Sequence, residues 1–186
     1  SLLPKYKKEL EHSNRMAKIG SWEIDIQNKN AIFWSDTLKD ILEAPTNVSP
    51  TLEDAINLYP VGPHRDSINQ CIDRAIFHGE NFDVTIQIKT YSNQLKWVRA
   101  IGISEYQKGK CQRIYGLFQD VNEAKQAETE IALKEEQFRQ TFWHANIGMT
   151  LLDLNGKITR ANPSVCNTFG YPEEEFIKMP FSKKEG

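Results

Sequence analysis

The tetrapeptide Ala17-Lys18-Ile19-Gly20 returns 128 positions later as Ala145-Asn146-Ile147-Gly148, and the likeness runs on at that offset. Leu10 aligns with Phe138, Ile24-Asp25-Ile26 with Leu152-Asp153-Leu154, Lys29 with Lys157, and Ile41 with Phe169. Apolar, acidic and turn positions keep their order, so one structural unit is used twice. The second copy reaches Gly186 only about 40 residues into its repeat. The expectation is one whole unit plus the opening of another, as in a slice of a longer modular protein whose remaining part holds the output.

Composition narrows the class. The 186 residues suit one domain of about 100 residues and a fragment. Lys and Arg number 23 against 25 Asp and Glu, a net charge of −2 with no long run of either sign, so a nucleic-acid partner is not expected. No apolar stretch approaches the roughly 18–20 residues of a membrane span, and the first residues do not resemble a leader. A soluble, cytoplasmic fragment without membrane contact is therefore expected. Cys71, Cys111 and Cys166 are odd in number and widely spaced, which suits reduced thiols rather than a disulfide framework or a metal site.

Periodicity predicts the elements. Leu3, Leu10 and Ala17 lie seven apart on an amphipathic helix over 1–17. Trp22–Ile26 and Ala31–Ser35 flank a polar turn and read as a hairpin. Asp36 is the expected cap of a helix bearing Leu38, Ile41 and Leu42 that stops at Pro45. A short helix with Leu52, Ile56 and Tyr59 follows, then a longer one from Arg65 to His78 closed by Gly79. Phe82, Val84, Ile86 and Ile88 alternate with polar residues as a half-buried strand. Leu95–Tyr106 and Cys111–Val121 are apolar on both alternating sets, which predicts interior strands covered on two faces, joined by a Lys108-Gly109 turn. From Asn122 to Ala145 no Gly or Pro interrupts, and Ala124, Ile131 and Phe138 fall seven apart on a connecting helix.

That order, with its motifs, resembles the PAS domain. The first copy carries Ile19-Gly20-Ser21-Trp22-Glu23, Trp34-Ser35-Asp36, Gly79-Glu80-Asn81-Phe82-Asp83, Trp97-Val98-Arg99-Ala100 and Gly116-Leu117-Phe118-Gln119-Asp120-Val121-Asn122-Glu123. It is similar to the subtype called PAS fold 3, with Asp120-Val121-Asn122 in place of the family's Asp-Ile-Thr at the start of the signalling helix. The second copy, Phe138 to Tyr171, resembles the usual opening of such a domain. One departure is Tyr59-Pro60-Val61-Gly62-Pro63-His64-Arg65, where the family has a compact His-Pro-acid-Asp-Arg. The resemblance implies an α+β fold: a five-stranded antiparallel sheet flanked by helices, with a long connecting helix into a second, incomplete unit. The implied divisions are 1–17, 18–121, 122–145 and 146–186.

It also implies sensing rather than turnover, since no Gly-rich phosphate loop, phosphoacceptor helix, Ser/His/Asp set or paired carboxylates is present. Cys71 lacks the surroundings of a light-sensing flavin domain, and His64 and His78 sit at the ends of the long helix rather than on the stripe where an axial haem ligand would lie. The cofactor is left open between none, a flavin stacked on Trp22, Trp34 and Trp97, and a small organic ligand walled by Trp34, Ile41, Leu42, Ile56, Ile86 and Ile88. For signal relay the expectation is Arg99, Asp120, Val121 and Asn122. If partners across the Lys108-Gly109 turn sum to 217, Asp120 faces Trp97 and can pair diagonally with Arg99; otherwise Asp120 only caps the connecting helix. The expected role is an input module of a sensor histidine kinase or diguanylate cyclase, homodimeric through its flanking helices, with a ligand-free dimerisation scaffold as the alternative.

Overall fold

The computed structural model describes residues 3–29 and 31–178, in two compact units, 1–125 and 126–186. In the first, α1 (Leu3–Met16) precedes the hairpin β1 (Ile19–Asp25) and β2 (Ala31–Trp34). Three helices follow, α2 (Asp36–Leu42), α3 (Leu52–Asn57) and α4 (Pro63–His78), then the strands β3 (Phe82–Lys89), β4 (Leu95–Gln107) and β5 (Lys110–Asp120). The strands form one antiparallel sheet in the order β2-β1-β5-β4-β3.

Burial on this sheet is one-sided. Val98 and Ala100 of β4 and Ile114 and Phe118 of β5 are buried beneath the helices. Their neighbours Ile103 and Leu117 are 40% and 43% exposed, so the expected two-sided coverage of β4 and β5 is corrected to a single covered face. The sequence is apolar on both sets because the outer face keeps Ile101, Ile103 and Leu117, while α2, α3 and α4 stack only on the other.

Local chemistry sets the element ends. Ser35, not Asp36, caps α2: its hydroxyl accepts from Leu38 N–H at 3.3 Å, and Asp36 is the first helical residue. The helix stops at Leu42, with Glu43 and Ala44 still to come before Pro45, because Glu43 turns into the left-handed region at φ 55°. Thr51 and Asp54 form a reciprocal capping box on α3. The unusual segment before Arg65 resolves into a left-handed Gly62 (φ 116°) and Pro63 at the first turn of α4. Arg65 steadies it, donating to the carbonyls of Tyr59 at 2.8 Å and Asn57 at 3.3 Å.

Lys108 (φ 50°) and Gly109 (φ 76°) are both left-handed, the two-residue turn that the sequence predicts. Tyr106↔Cys111 and Gln107↔Lys110 keep the 217 sum, but a bulge between Glu105 and Tyr106 shifts the ladder, and from Glu105↔Arg113 onward partners sum to 218.

The connecting helix α5 (Asn122–His144) has 23 residues and is about 34 Å long. The second unit adds a hairpin, β6 (Thr150–Leu152) and β7 (Ile158–Ala161), and two helices, α6 (Pro163–Phe169) and α7 (Glu173–Phe176). Ile158, Ala161, Val165 and Phe176 form its own small core. The hairpin turn of this copy is one residue shorter. Left-handed Gly156 therefore matches left-handed Lys29, and the ends of α2 and α6 match as Leu42 and Phe169. The constant offset of 128 is corrected to 127 beyond the turn, which replaces the pairings of Lys29 with Lys157 and of Ile41 with Phe169.

Candidate ligand cavity and relay joint

Between sheet and helices lies a cavity with about 60 Å³ of room for the centres of water-sized molecules. Strand β1 gives it Trp22 and Ile24, β2 gives Ile32 and Trp34, α2 gives Leu38 and Leu42, and α4 gives Ile68 and Ile72. Ile56 of α3, Tyr59, Phe82 and Ile88 of β3, Ala100 and Phe118 complete most of the wall. Trp22 stacks on Phe82 with ring centres 5.9 Å apart, and its indole N–H donates to the Leu117 carbonyl at 3.2 Å.

Of the six wall residues expected from sequence, the structure places Trp34, Leu42, Ile56 and Ile88 on the cavity. Ile41 and Ile86 are buried in the same core but stand off the wall. Trp97, expected beside Trp22 and Trp34, instead meets His64 edge-on with centres 5.5 Å apart. Sequence reading missed Tyr59 and Phe118, the first because it read only as part of a helix stripe, the second because both faces of β5 looked covered.

Size and wall chemistry limit what fits. One water needs about 10–15 Å³ on this measure, and a cavity of about 150 Å³ holds a benzene ring. Three fused rings of a flavin therefore do not fit without side chains moving. Among the described residues no charged side chain lines the cavity. Burial, and next to it the neighbouring Cys71, push the Tyr59 hydroxyl far above its usual range, so it stays a neutral donor. Burial likewise raises the Cys71 thiol, which removes thiolate reactivity. Among the described residues no cluster of His, Cys, Asp or Glu could hold a metal ion.

The relay joint lies where β5 ends. The bulge puts Asp120 opposite Val98, not Trp97, so Arg99 projects from the other face of the sheet. The Arg99–Asp120 ion pair is thereby corrected. Arg99 grips Asp83 instead, Nε to Oδ1 at 2.8 Å and Nη2 to Oδ2 at 2.5 Å, and these bonds hold the Asp83 carboxyl below its usual range. Asp120 takes the capping role: its Oδ1 accepts from Asn122 N–H at 2.9 Å. The joint is then stitched by Val121 N–H to the Trp97 carbonyl at 3.0 Å and Trp97 N–H to Asn122 Oδ1 at 3.2 Å. Lys18 joins from the start of β1, its carbonyl accepting from Asp120 N–H and its ammonium meeting Glu123 at 2.7 Å.

A third constellation was not anticipated from sequence. The Glu43 carboxylate accepts from the Ser92 hydroxyl, from Thr90 Oγ1 at 2.9 Å and from Lys96 Nζ at 2.9 Å. The bonds from Ser92, Lys96 and Thr90 hold its carboxyl down at about 2. It fastens the end of α2 to the β3–β4 turn, beside the cavity wall.

A five-stranded antiparallel sheet with helices on one face and an apolar cavity between them defines a sensor-type α+β domain. Its fold is shared with a sensory box histidine kinase/response regulator from Burkholderia thailandensis, at a TM-score of 0.55 and 20% identity over 70% of this chain and 98% of that one. Residues 136–183 match the family model of the PAS domain. Residues 136–183 thus form the opening elements of a PAS domain, while the first unit, with its full sheet, shares its fold with the sensory-box structure. Sensor protein FixL of Bradyrhizobium diazoefficiens is 27% identical over 160 residues, 86% of this chain and 31% of that protein. The probable diguanylate cyclase DgcE of Escherichia coli is 23% identical over 170 residues, 90% of this chain and 15% of that protein. The chain thus spans a third or less of these curated relatives.

Proposed function

We propose that the chain is the sensory input and relay portion of a multidomain cytoplasmic signalling protein whose output is a histidine kinase or a diguanylate cyclase. The observation that carries this reading is that one strand serves both ends of the path. β5 presents Phe118 to the cavity and, two residues on, Asp120 to the first turn of α5. An occupant that moves Phe118 moves the residues that fix the angle at which α5 leaves, a two-position joint of the kind that allostery needs. Its relatives among sensor and cyclase proteins support the output class. Among the described residues no helix is long and apolar enough to cross a membrane. Sensing, not turnover, is the role of these residues.

The test fills the cavity without touching the joint. Ala100→Val adds two methyl groups at a buried wall position. Amide exchange at 122–125 should change against the wild-type chain while the rest of β5 stays protected. Unchanged exchange there, in a folded variant, overturns the relay.

The surface of α5 favours a second reading, homodimerisation with or without a ligand. Ile131 and Phe138, seven apart, are 59% and 50% exposed. A parallel pairing along this seam would be weak, since Lys134 and Thr141 occupy the alternate positions. Sedimentation of Ile131→Glu should show less dimer than wild type at the same concentration; a strict wild-type monomer at high concentration removes this reading.

A further inference from the structure

Two helices meet at one corner of the first unit, and on the reading that α5 carries the signal out, the other helix has a way in. From Lys5 to Met16 the side chains of α1 are exposed, save a half-buried Asn14. Among the described residues, the one side-chain ion pair from α1 to the rest of the unit is Arg15 Nη2 to Asp40 Oδ2 at 3.5 Å. The helix therefore stands off the unit and is held by its last turn. That turn closes on Lys18, whose N–H donates to the Arg15 carbonyl at 3.1 Å, beside Ala17 N–H to the Ser13 carbonyl at 3.0 Å. Lys18 is left-handed at φ 51°, a conformation that Gly or Asn adopts with less strain.

The same residue reaches the start of α5 twice. Its carbonyl accepts from Asp120 N–H at 3.1 Å, and its ammonium donates to Glu123 Oε1 at 2.7 Å in the first turn of that helix. That side-chain bond raises the Lys18 ammonium above its usual range and lowers the Glu123 carboxyl, so both partners stay charged. Neither Lys18 nor Glu123 lines the cavity. Because both bonds start from a residue whose backbone is set by the last turn of α1, melting or turning that helix carries Lys18 away from Asp120 and Glu123. We propose that α1 is a second input to the joint, its state passed through Lys18 to the first turn of α5 whether or not the cavity is filled. Lys18 is then a positioning residue for the relay.

The experiment follows amide exchange in the whole chain at Asp120, Val121, Asn122 and Lys125, whose hydrogen bonds hold the joint. Ser13→Pro breaks α1 at an exposed position, since proline ends the helix before it and the single turn left over is not stable alone. Lys18→Asn keeps the backbone carbonyl and a residue suited to the left-handed turn, and removes the ammonium. Each should speed exchange at the joint roughly two- to fivefold while Val98 and Ile114 stay protected. The double variant should exchange no faster than Ser13→Pro alone. High salt should shrink the Lys18→Asn effect, which a merely structural change at the turn would not show. An α1 already unprotected in the wild-type chain, a joint untouched by Ser13→Pro, additive effects in the double variant or a salt-independent Lys18→Asn effect overturns the proposal. Its failure is separable from that of the cavity route. A joint that answers Ser13→Pro and ignores Ala100→Val keeps the second input and removes the cavity route, and the opposite pattern does the reverse.

Discussion

The openings of the two units use the same device with different fastenings. In the first, Ser21 N–H donates to Ser35 Oγ and Ser35 N–H returns a bond to the Ser21 carbonyl, both at 2.9 Å, while Ser35 caps α2. In the second, Met149 and Asn162 exchange the same two bonds, also at 2.9 Å, while Asn162 caps α6 through Val165 N–H at 3.0 Å. Each helix then ends in a left-handed residue, Glu43 or Gly170. The difference lies in what surrounds the cap. Ser35 needs little more, because Leu38 and Leu42 of its helix are sealed under five strands. Asn162 is fully buried and spends its amide donors on the carbonyls of Phe142 at 3.0 Å and Ile147 at 2.9 Å. Where the sheet is only two strands, side-chain hydrogen bonds tie the cap to the preceding helix.

The largest expected difference concerns the glycine ahead of each cap. A Cβ at Gly20 would stand 2.5 Å from Leu38 Cβ and 2.6 Å from its Cα, whereas one at Gly148 would meet Val165 Cβ at 3.1 Å. At 2.5–2.7 Å from Leu38 the backbone itself must shift, whereas at 3.1–3.3 Å Val165 need give only a few tenths of an ångström. Gly20→Ala should therefore cost about 3 kcal/mol or more of first-unit stability in urea unfolding, and Gly148→Ala less than about 1 kcal/mol in the second. Equal losses would mean that the two openings are not built to the same tolerance.

Next come the caps. Asn162→Ala strands two N–H groups and two carbonyls in a buried setting and should cost about 2–3 kcal/mol, seen as faster amide exchange across 147–165. Ser35→Ala frees two N–H groups in a more open place and should cost about 1 kcal/mol. A Ser35 effect as large as that of Asn162 would break the contrast.

Smaller still is a difference in acid response at the helix stops. Glu43 has its carboxyl lowered in the fold from 4.5 to about 2, so its contribution is fully present above pH 4.5 and is lost as pH falls towards 2. Gly170 carries no such group. The first unit's melting temperature should fall between pH 4.5 and 2 with a component that Glu43→Gln removes, while exchange protection of the second unit should show no component from this position. An acid slope identical in wild type and Glu43→Gln would show that the latch contributes nothing.

Much of this was legible in the sequence, and the failures have physical causes. Periodicity and the repeat locate all five strands of the first sheet and the long helix, because apolar spacing is imposed by burial. Four of the six wall residues expected from sequence, Trp34, Leu42, Ile56 and Ile88, line the cavity for the same reason. The one-residue slip in the repeat was not, because a turn with an αL residue accepts Lys29 or Gly156 and leaves apolar spacing intact. Nor was the Glu43 cluster, whose partners Ser92 and Lys96 lie roughly 50 residues away and meet it only through the helix stop. The outer face of β4 and β5 misled because residues such as Ile103 and Leu117 look like core in sequence and are half exposed in the fold.

The smallest expected effect is none at all, at the other end of α5 from Asn162. Sequence reading put Arg99 and Asp120 on one face, and a single extra residue at Gln112 in the bulge turns them to opposite faces. Arg99 is then engaged across β3 with Asp83, an exposed pair that salt screens, while Asp120 serves the N–H of Asn122. Although they sit on adjacent rungs, the two side chains project from opposite faces and share no partner among the described residues, so their changes should add. A double-mutant cycle of Arg99→Gln and Asp120→Asn should accordingly give a coupling within about 0.5 kcal/mol of zero in urea unfolding. The cycle of Arg99→Gln with Asp83→Asn should give a measurable favourable coupling that fades in high salt. Asp120→Asn alone should loosen exchange at 122–125, because the amide that replaces the carboxylate is a weaker acceptor for the first N–H of α5. A clear Arg99–Asp120 coupling would mean that the bulge relaxes in solution and that β5 re-registers to the 217 pairing. The exit angle of α5 would then depend on sheet register, whereas an uncoupled pair leaves that angle to Trp97 and Asn122.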